Sequence, residues 1–162
     1  MMSTRGTPVR DTAGTRHAGE TAAEAEVAAR LARAGQRYTS GRRALVAFLL
    51  TAGRPVDMAE ITAASPGLPT SSVYRNLVVL EQAGAVTRFQ GPSALARYEL
   101  SEDLLGHHHH LVCTTCGRME DYEVPPEVEG ALTEATDKVA ARNGFKATGH
   151  RLELRGLCNE CG

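Results

Sequence analysis

Two Cys-x-x-Cys pairs constrain this chain more than any other feature. Cys113 pairs with Cys116 and Cys158 with Cys161; the pairs lie 41 residues apart and contain all four cysteines. Each pair forms a tight knuckle that offers two sulfurs, and tetrahedral zinc takes four. The end of the sequence must then return to the strands around Cys113, across a gap longer than that of a simple zinc ribbon. Four thiolates leave no open position, so the reading is a closed, structural zinc site that couples metal binding to folding. A redox pair that forms disulfides and releases its metal is the rival reading.

Four consecutive histidines, His107 to His110, lead through Leu111-Val112 into the first pair. The run is internal and enters a strand-like segment, so it reads as part of the fold and not as a tag. On extended backbone, alternate side chains point to opposite faces. His107 and His109 then project one way, His108 and His110 the other, which suits two separate metal sites. His150 with Glu127, Glu129 and Glu134 are candidates to complete one. Glu99, Glu102, Asp103, Glu120 and Asp121 are candidates for the other. A mixed His/carboxylate shell accepts zinc, iron(II), manganese or nickel. His17, alone in its surroundings, reads as a surface residue.

The net charge of −1 conceals an asymmetry. Residues 1–90 carry 11 Lys+Arg against 7 Asp+Glu, and residues 91–162 carry 7 against 12. A basic first half suits a polyanion, and an acidic second half offers carboxylates to cations. No apolar run approaches the ~20 residues of a membrane span. With no signal-peptide pattern at the start, the expectation is a cytoplasmic protein without membrane association. Cysteines in a reducing compartment point to metal before disulfides.

Along the chain, residues 1 to about 18 lack periodicity and read as a disordered arm. An Ala-rich helix is expected from Glu20 to Ala34, ended by Gly35. A second, over Gly41–Thr51, is capped by Thr39 or Ser40, and a short third spans about Met58–Ala64. Thr70-Ser71-Ser72 caps a fourth with Val73, Leu77, Leu80 and Ala83 on one face. Strands over Ala85–Phe89 and Ala96–Leu100 flank a Gly91-Pro92-Ser93 turn. This is the outline of a winged helix-turn-helix. After a hinge at Ser101–Gly106, strands over His109–Val112 and Arg118–Tyr122 flank the first cysteine pair. A helix from Pro125-Pro126 to about Arg142 and a strand over Phe145–Arg155 follow. The fold class is α+β: an N-terminal winged helix over 19–100, a hinge over 101–106, and a C-terminal α/β domain over 107–162. That domain has little core of its own, so a homodimer is expected.

The chain resembles the ferric uptake regulator family of metal-responsive repressors from about Arg33 onward. The likeness rests on Thr39-x-x-Arg42, Ser72-Val73-Tyr74-Arg75-Asn76-Leu77, Leu80-Glu81-x-Ala83-Gly84, Tyr98-Glu99-Leu100, the block from His107 to Gly117, Gly144-Phe145, and His150 through Cys161. The resemblance implies a winged helix, a dimerisation domain, and metal-loaded binding to A·T-rich pseudo-palindromic double-stranded operators. It implies structural zinc on Cys113, Cys116, Cys158 and Cys161. It implies a sensory site of Glu99, His108, His110 and Asp121. A third site takes His107, His109, His150 and Glu129 when counted forward from Cys116, whereas counting back from Gly144 points near Glu134.

Two ligands that would identify the sensed metal are missing. There is no cysteine between wing and histidines, as zinc sensors of the family often have. Arg54-Pro55-Val56 stands where iron and peroxide sensors often place a histidine. Glu102 or Asp103 could fill the gap, and the regulatory ion stays open among Fe(2+), Zn(2+) and Mn(2+). For DNA, the resemblance implies a fourth-helix reader. Ser71 or Ser72 would meet phosphate, Tyr74 thymine methyls, and Arg75 phosphate or guanine. Arg37 would enter the minor groove and Arg42 would hold the backbone. The expected function is a non-enzymatic repressor of metal-homeostasis or oxidative-stress genes. A peroxide-sensing repressor is the alternative of the same fold. A His/carboxylate metalloenzyme is a further alternative, but no general-base motif such as HExxH is present.

Overall fold

The computed structural model describes residues 12–90 and 95–162. Helix α1 spans Thr12–Arg33, and Val27 and Leu31, four residues apart, are fully buried along it. Helix α2, Ser40–Ala52, starts at Thr39, whose side chain accepts from the Arg42 amide, and ends at Gly53 with φ 55. That left-handed position favours glycine. It buries Leu45, Val46 and Leu49. Strand β1, Val56–Asp57, runs into helix α3, Met58–Ala63. Asp57 and Glu60 form a reciprocal capping box there, 3.0 Å in each direction. Helix α4, Thr70–Gln82, buries Val73, Leu77 and Leu80. Strands β2, Val86–Gln90, and β3, Ala96–Leu100, pair antiparallel, and β1 adds to β3 in the order β1-β3-β2. The apolar faces of all four helices and this sheet meet in one core that includes Ile61, Val56, Tyr98 and Leu100.

After β3, helix α5, Glu102–Leu105, makes one turn. Strands β4, His109–Cys113, β5, Met119–Tyr122, and β6, Glu153–Gly156, form a second sheet in the order β5-β4-β6. Strand β4 pairs antiparallel with β5 and parallel with β6. Helix α6, Pro126–Arg142, has no buried residue, and every residue of β6 is exposed. The buried apolar cluster here is only Phe89, Val112 and Met119, with Phe89 supplied by the wing.

Several expectations need correction. Helix α1 begins at Thr12, not Glu20, so the arm read over 1–18 gives up its last residues to helix. Residues 1–11, the 91–94 turn and the His17 side chain lie outside the described residues. Helix α4 is entered through Pro69, whose carbonyl accepts from Ser72 and Val73, so Thr70, Ser71 and Ser72 sit inside the first turn and do not cap it. The hinge contains α5, held to α1 by ion pairing of Asp103 with Arg30. The last strand is four residues, not the span Phe145–Arg155: it pairs only where β4 offers a ladder, from His110 to Cys113. Strand β1 and α5 were not expected, since two- and four-residue elements carry no readable period.

Candidate metal centres and nucleic-acid face

One end of the C-terminal sheet brings the cysteines together. Cys113 ends β4, and Gly117 at φ 71 turns the chain so that its amide donates to the Cys113 carbonyl at 2.9 Å. The parallel register places Gly156 opposite Cys113, which delivers Cys158 and Cys161 to the same spot. One sulfur from each of the four lies within 4.8 Å of the others, and the Sγ atoms of Cys116 and Cys158 are 3.8 Å apart. Tetrahedral zinc with ~2.3 Å bonds separates its sulfurs by about 3.8 Å, so the spacing fits the ion. Backbone amides of Cys116 and Cys158 lower the Cys113 thiol to about 6, whereas hydrogen bonding with the neighbouring Cys158 and Cys116 raises Cys161 to about 12. Four thiolates packed this closely need a cation.

On one face of the histidine strand, three imidazoles meet one carboxylate. Glu129, one turn into α6, places Oε2 2.9 Å from His109 Nε2. Its Oε1 lies 3.1 Å from His107 Nε2 and 3.0 Å from His150 Nε2. The rings of His107 and His109 pack edge to face at 4.8 Å. His150 Nε2 is buried and makes no hydrogen bond despite that short approach. The His109 hydrogen bond holds Glu129 below the usual carboxylate range. The register therefore selects Glu129. Glu134 pairs with Lys138 on the exposed helix surface, and Glu127 is not in the cluster.

On the other face, Glu99, His108, His110 and Asp121 come together from three strands or strand ends. His108 Nε2 and His110 Nε2 lie 3.4 and 3.3 Å from Glu99 Oε1. They lie 3.8 and 3.7 Å from the two Asp121 oxygens. Bonds of 2.0–2.2 Å to a tetrahedral ion separate neighbouring ligands by about 3.3–3.6 Å. Asp121 Oδ1 is buried without a hydrogen-bond partner. Burial first, then the Glu99 charge, pushes Asp121 up to about 6. Two facing carboxylates out of water are unfavourable alone and suited to a cation. Glu102 and Asp103 do not enter this cluster: Asp103 turns to Arg30, and Glu102 contacts His107 on the opposite face. Glu120 pairs with Arg118.

Sequence reasoning did not single out Phe89. Its ring meets the His110 ring at 5.0 Å, edge-on, and the Arg151 guanidinium lies 4.9 Å above it. A lone aromatic in a half-buried strand has no marker beyond its alternation.

On the helical side, Tyr74 is 52% exposed on α4, beside exposed Ser71 and Arg75. Arg75 donates to Ser72 Oγ at 3.2 Å. The Arg42 guanidinium reaches Asn76 Oδ1 and Gln36 Oε1, each at 3.3 Å, and the Arg37 carbonyl, so it braces the turn that carries exposed Arg37. The first-turn amides of α4 have no side-chain cap. The Pro69 carbonyl takes the Ser72 amide, and the Thr70 and Ser71 amides ahead of it suit phosphate.

A sequence model described as the ferric uptake regulator family matches residues 33–155. The Campylobacter jejuni ferric uptake regulation protein is 36% identical over 138 residues, covering 81% of this chain and 83% of its own length. The Staphylococcus aureus peroxide-responsive repressor PerR is 32% identical over 142 residues, covering 84% of this chain and 89% of its own. The crystal structure of the Vibrio cholerae ferric uptake regulator superposes with a TM-score of 0.65 at 26% identity, over 81% of this chain and 98% of that one.

Proposed function

The chain belongs to the ferric uptake regulator family, and from that premise we propose that Glu99, His108, His110 and Asp121 are the switch of a metal-dependent, DNA-binding transcriptional repressor. The supporting observation is the origin of the four ligands. Glu99 belongs to the wing sheet, whereas the histidines and Asp121 belong to the second sheet. Drawing these groups together ties the orientation of the winged helix to the C-terminal domain, and Phe89 of the wing rests on His110. A divalent cation here supplies the positive charge that offsets one buried and one partly buried carboxylate. The functional division follows: a winged-helix domain over 19–100, a hinge over 101–106 and a metal-binding dimerisation domain over 107–162.

In the same reading, Cys113, Cys116, Cys158 and Cys161 hold structural zinc. His107, His109, Glu129 and His150 form the third site. The regulatory ion is Fe(2+), Zn(2+) or Mn(2+), since imidazole and carboxylate accept all three. Regulators of this family bind DNA and form dimers. Exposed Val128, Val139, Phe145, Leu154 and Leu157 on the C-terminal half supply an apolar face for the second copy. The operator is an A·T-rich pseudo-palindrome read in the major groove by Tyr74 and Arg75. Ser71, Ser72 and Arg42 bind backbone, and Arg37 enters the minor groove. No helix among the described residues is long and apolar enough to cross a membrane. A cytoplasmic regulator is the reading consistent with an operator target. Membership in a family of regulators speaks against a metalloenzyme.

Fluorescence anisotropy on an A·T-rich palindrome, with each metal in turn, tests the reading. Tightening by about 100-fold needs about 2.7 kcal/mol of coupling, within the ordinary allosteric range. Equal affinity with and without every metal would remove the switch. Similarity to a peroxide-responsive repressor keeps a second reading open. Iron(II) and peroxide should then add oxygen to the His107–His110 peptide, as mass spectrometry would detect.

A further inference from the structure

Helix α5 carries two adjacent carboxylates that turn to different halves of the molecule. Asp103 pairs with Arg30 of α1, whose guanidinium also donates to Ser101 Oγ at 3.0 Å and to the Gly84 carbonyl. Arg30 is 14% exposed in its side chain and Asp103 63%, so the guanidinium is sheltered while the carboxylate faces water. Glu102 meets Nδ1 of His107, while Nε2 of the same ring lies 3.1 Å from Glu129. His107 is thus held at both nitrogens, by a hinge carboxylate on one side and by the metal cluster on the other. An imidazole that donates its remote N–H to a carboxylate has its tautomer and ring plane fixed and its ligating nitrogen made more basic. His109 differs. His109 Nδ1 is buried with no partner, so Glu102 is the carboxylate that orients a histidine of this cluster from outside it.

We propose that Glu102 is a positioning residue for the His107–His109–Glu129–His150 site, and that through it occupancy of this site orders the hinge helix α5. The proposal rests on the reading that this cluster binds a metal. With Glu102 bound to His107 and Asp103 to Arg30, α5 spans from the metal cluster to the first helix of the DNA-binding domain. An ion that fixes His107 fixes the partner of Glu102, and the short helix loses its freedom to fray. A four-residue helix cannot hold itself by propensity alone: Leu104, Leu105 and Asp103 tie it to the first half, and Glu102 is its tie to the metal cluster. Glu102 was a candidate for the sensory site; the geometry assigns it to the opposite one.

The test uses the full chain with its cysteine zinc in place. Zn(2+) is titrated in while the imidazole nitrogen signals of His109 and His150 are followed by NMR, which separates this site from that of His108 and His110. Glu102→Ala should weaken zinc at this site by about 10- to 100-fold, and Glu102→Gln by less, because an acceptor remains. Cysteine-bound zinc content should stay unchanged in both variants, which shows that the fold is retained. In the unaltered protein, amide exchange of residues 102–105 should slow on zinc addition; in Glu102→Ala it should not. Asp103→Asn should keep the zinc affinity. Affinity within twofold of the unaltered protein in Glu102→Ala, or equal slowing of exchange, overturns the proposal. If the His109 and His150 signals never respond in the unaltered protein, the metal-site reading fails and the proposal falls with it.

Discussion

The two halves of this molecule are held together by different physics. The first half has an apolar core in which Val27, Leu31, Leu45, Val46, Ile61, Val73, Leu77 and Leu80 are all fully buried. The second half buries Val112, Cys113 and Met119, leaves α6 without a buried residue, and concentrates imidazole, carboxylate and thiol at three points instead. Apolar burial gains free energy in proportion to area and needs no partner. A sheet this thin cannot gain enough that way, so its order falls to ions and to a second copy. On the proposed reading, the half that would meet DNA is stable on its own terms, and the half that holds most of the metal ligands is conditional on what it binds. That division makes a metal an effective signal.

The largest expected effect breaks the comparison at the cysteines. Structural zinc sites of small domains contribute on the order of 10–16 kcal/mol at neutral pH. Strong chelation, or Cys116→Ser, should release amide protection across β4, β5, β6 and α6 while α1 to α4 keep theirs, as hydrogen exchange would show. Uniform loss or uniform retention would erase the distinction. Next, Leu77→Ala in the first core should cost about 2–5 kcal/mol in denaturant unfolding. Val139→Ala, on the exposed side of α6, should change monomer stability by no more than about 0.5 kcal/mol. Its effect should appear in the dimer dissociation constant measured by sedimentation.

A smaller effect lies in pH. Asp121 has a folded pKa of about 6, raised from the ordinary carboxyl value by burial and by Glu99. Metal requires both the Asp121 carboxylate and a neutral His108, whose pKa is also raised, so affinity at this site should fall as pH drops through about 6. Without metal the sign reverses for folding. A raised carboxyl pKa favours the protonated folded state, so this contribution is full below the unfolded pKa and is lost as pH rises through about 6. Calorimetric metal titrations and apo-protein melts across pH 5 to 8 would read the two slopes. The capping box gives a local effect: Asp57→Ala should cost about 0.5–2 kcal/mol, confined to the first half.

How much of this was legible in the residues follows the same division. Helices α2, α4 and α6 were readable because caps, prolines and apolar spacing are local signals, and Thr39 and Pro126 stand at their starts. The alternation of His107–His110 onto two faces followed from strand geometry alone. Which carboxylate joined which face did not. Glu129 and Glu134 are both helix residues of one type, and only the docking of α6 separates them. Glu102 was directed to the wrong cluster because the sequence does not show that α5 turns it toward His107. Phe89 was missed for a related reason: its partners, His110 and Arg151, come from the other domain.

On the proposed reading, the Glu99–His108–His110–Asp121 face converts metal into DNA affinity while the cysteine zinc only holds the fold. Operator affinity of Asp121→Asn, measured by anisotropy with and without the activating metal beside the unaltered dimer and with cysteine zinc verified in both, tests it most directly. The unaltered protein should tighten by about 100-fold, about 2.7 kcal/mol, and the variant should keep its metal-free affinity but gain little from metal. A variant that tightens as fully as the unaltered protein would contradict it.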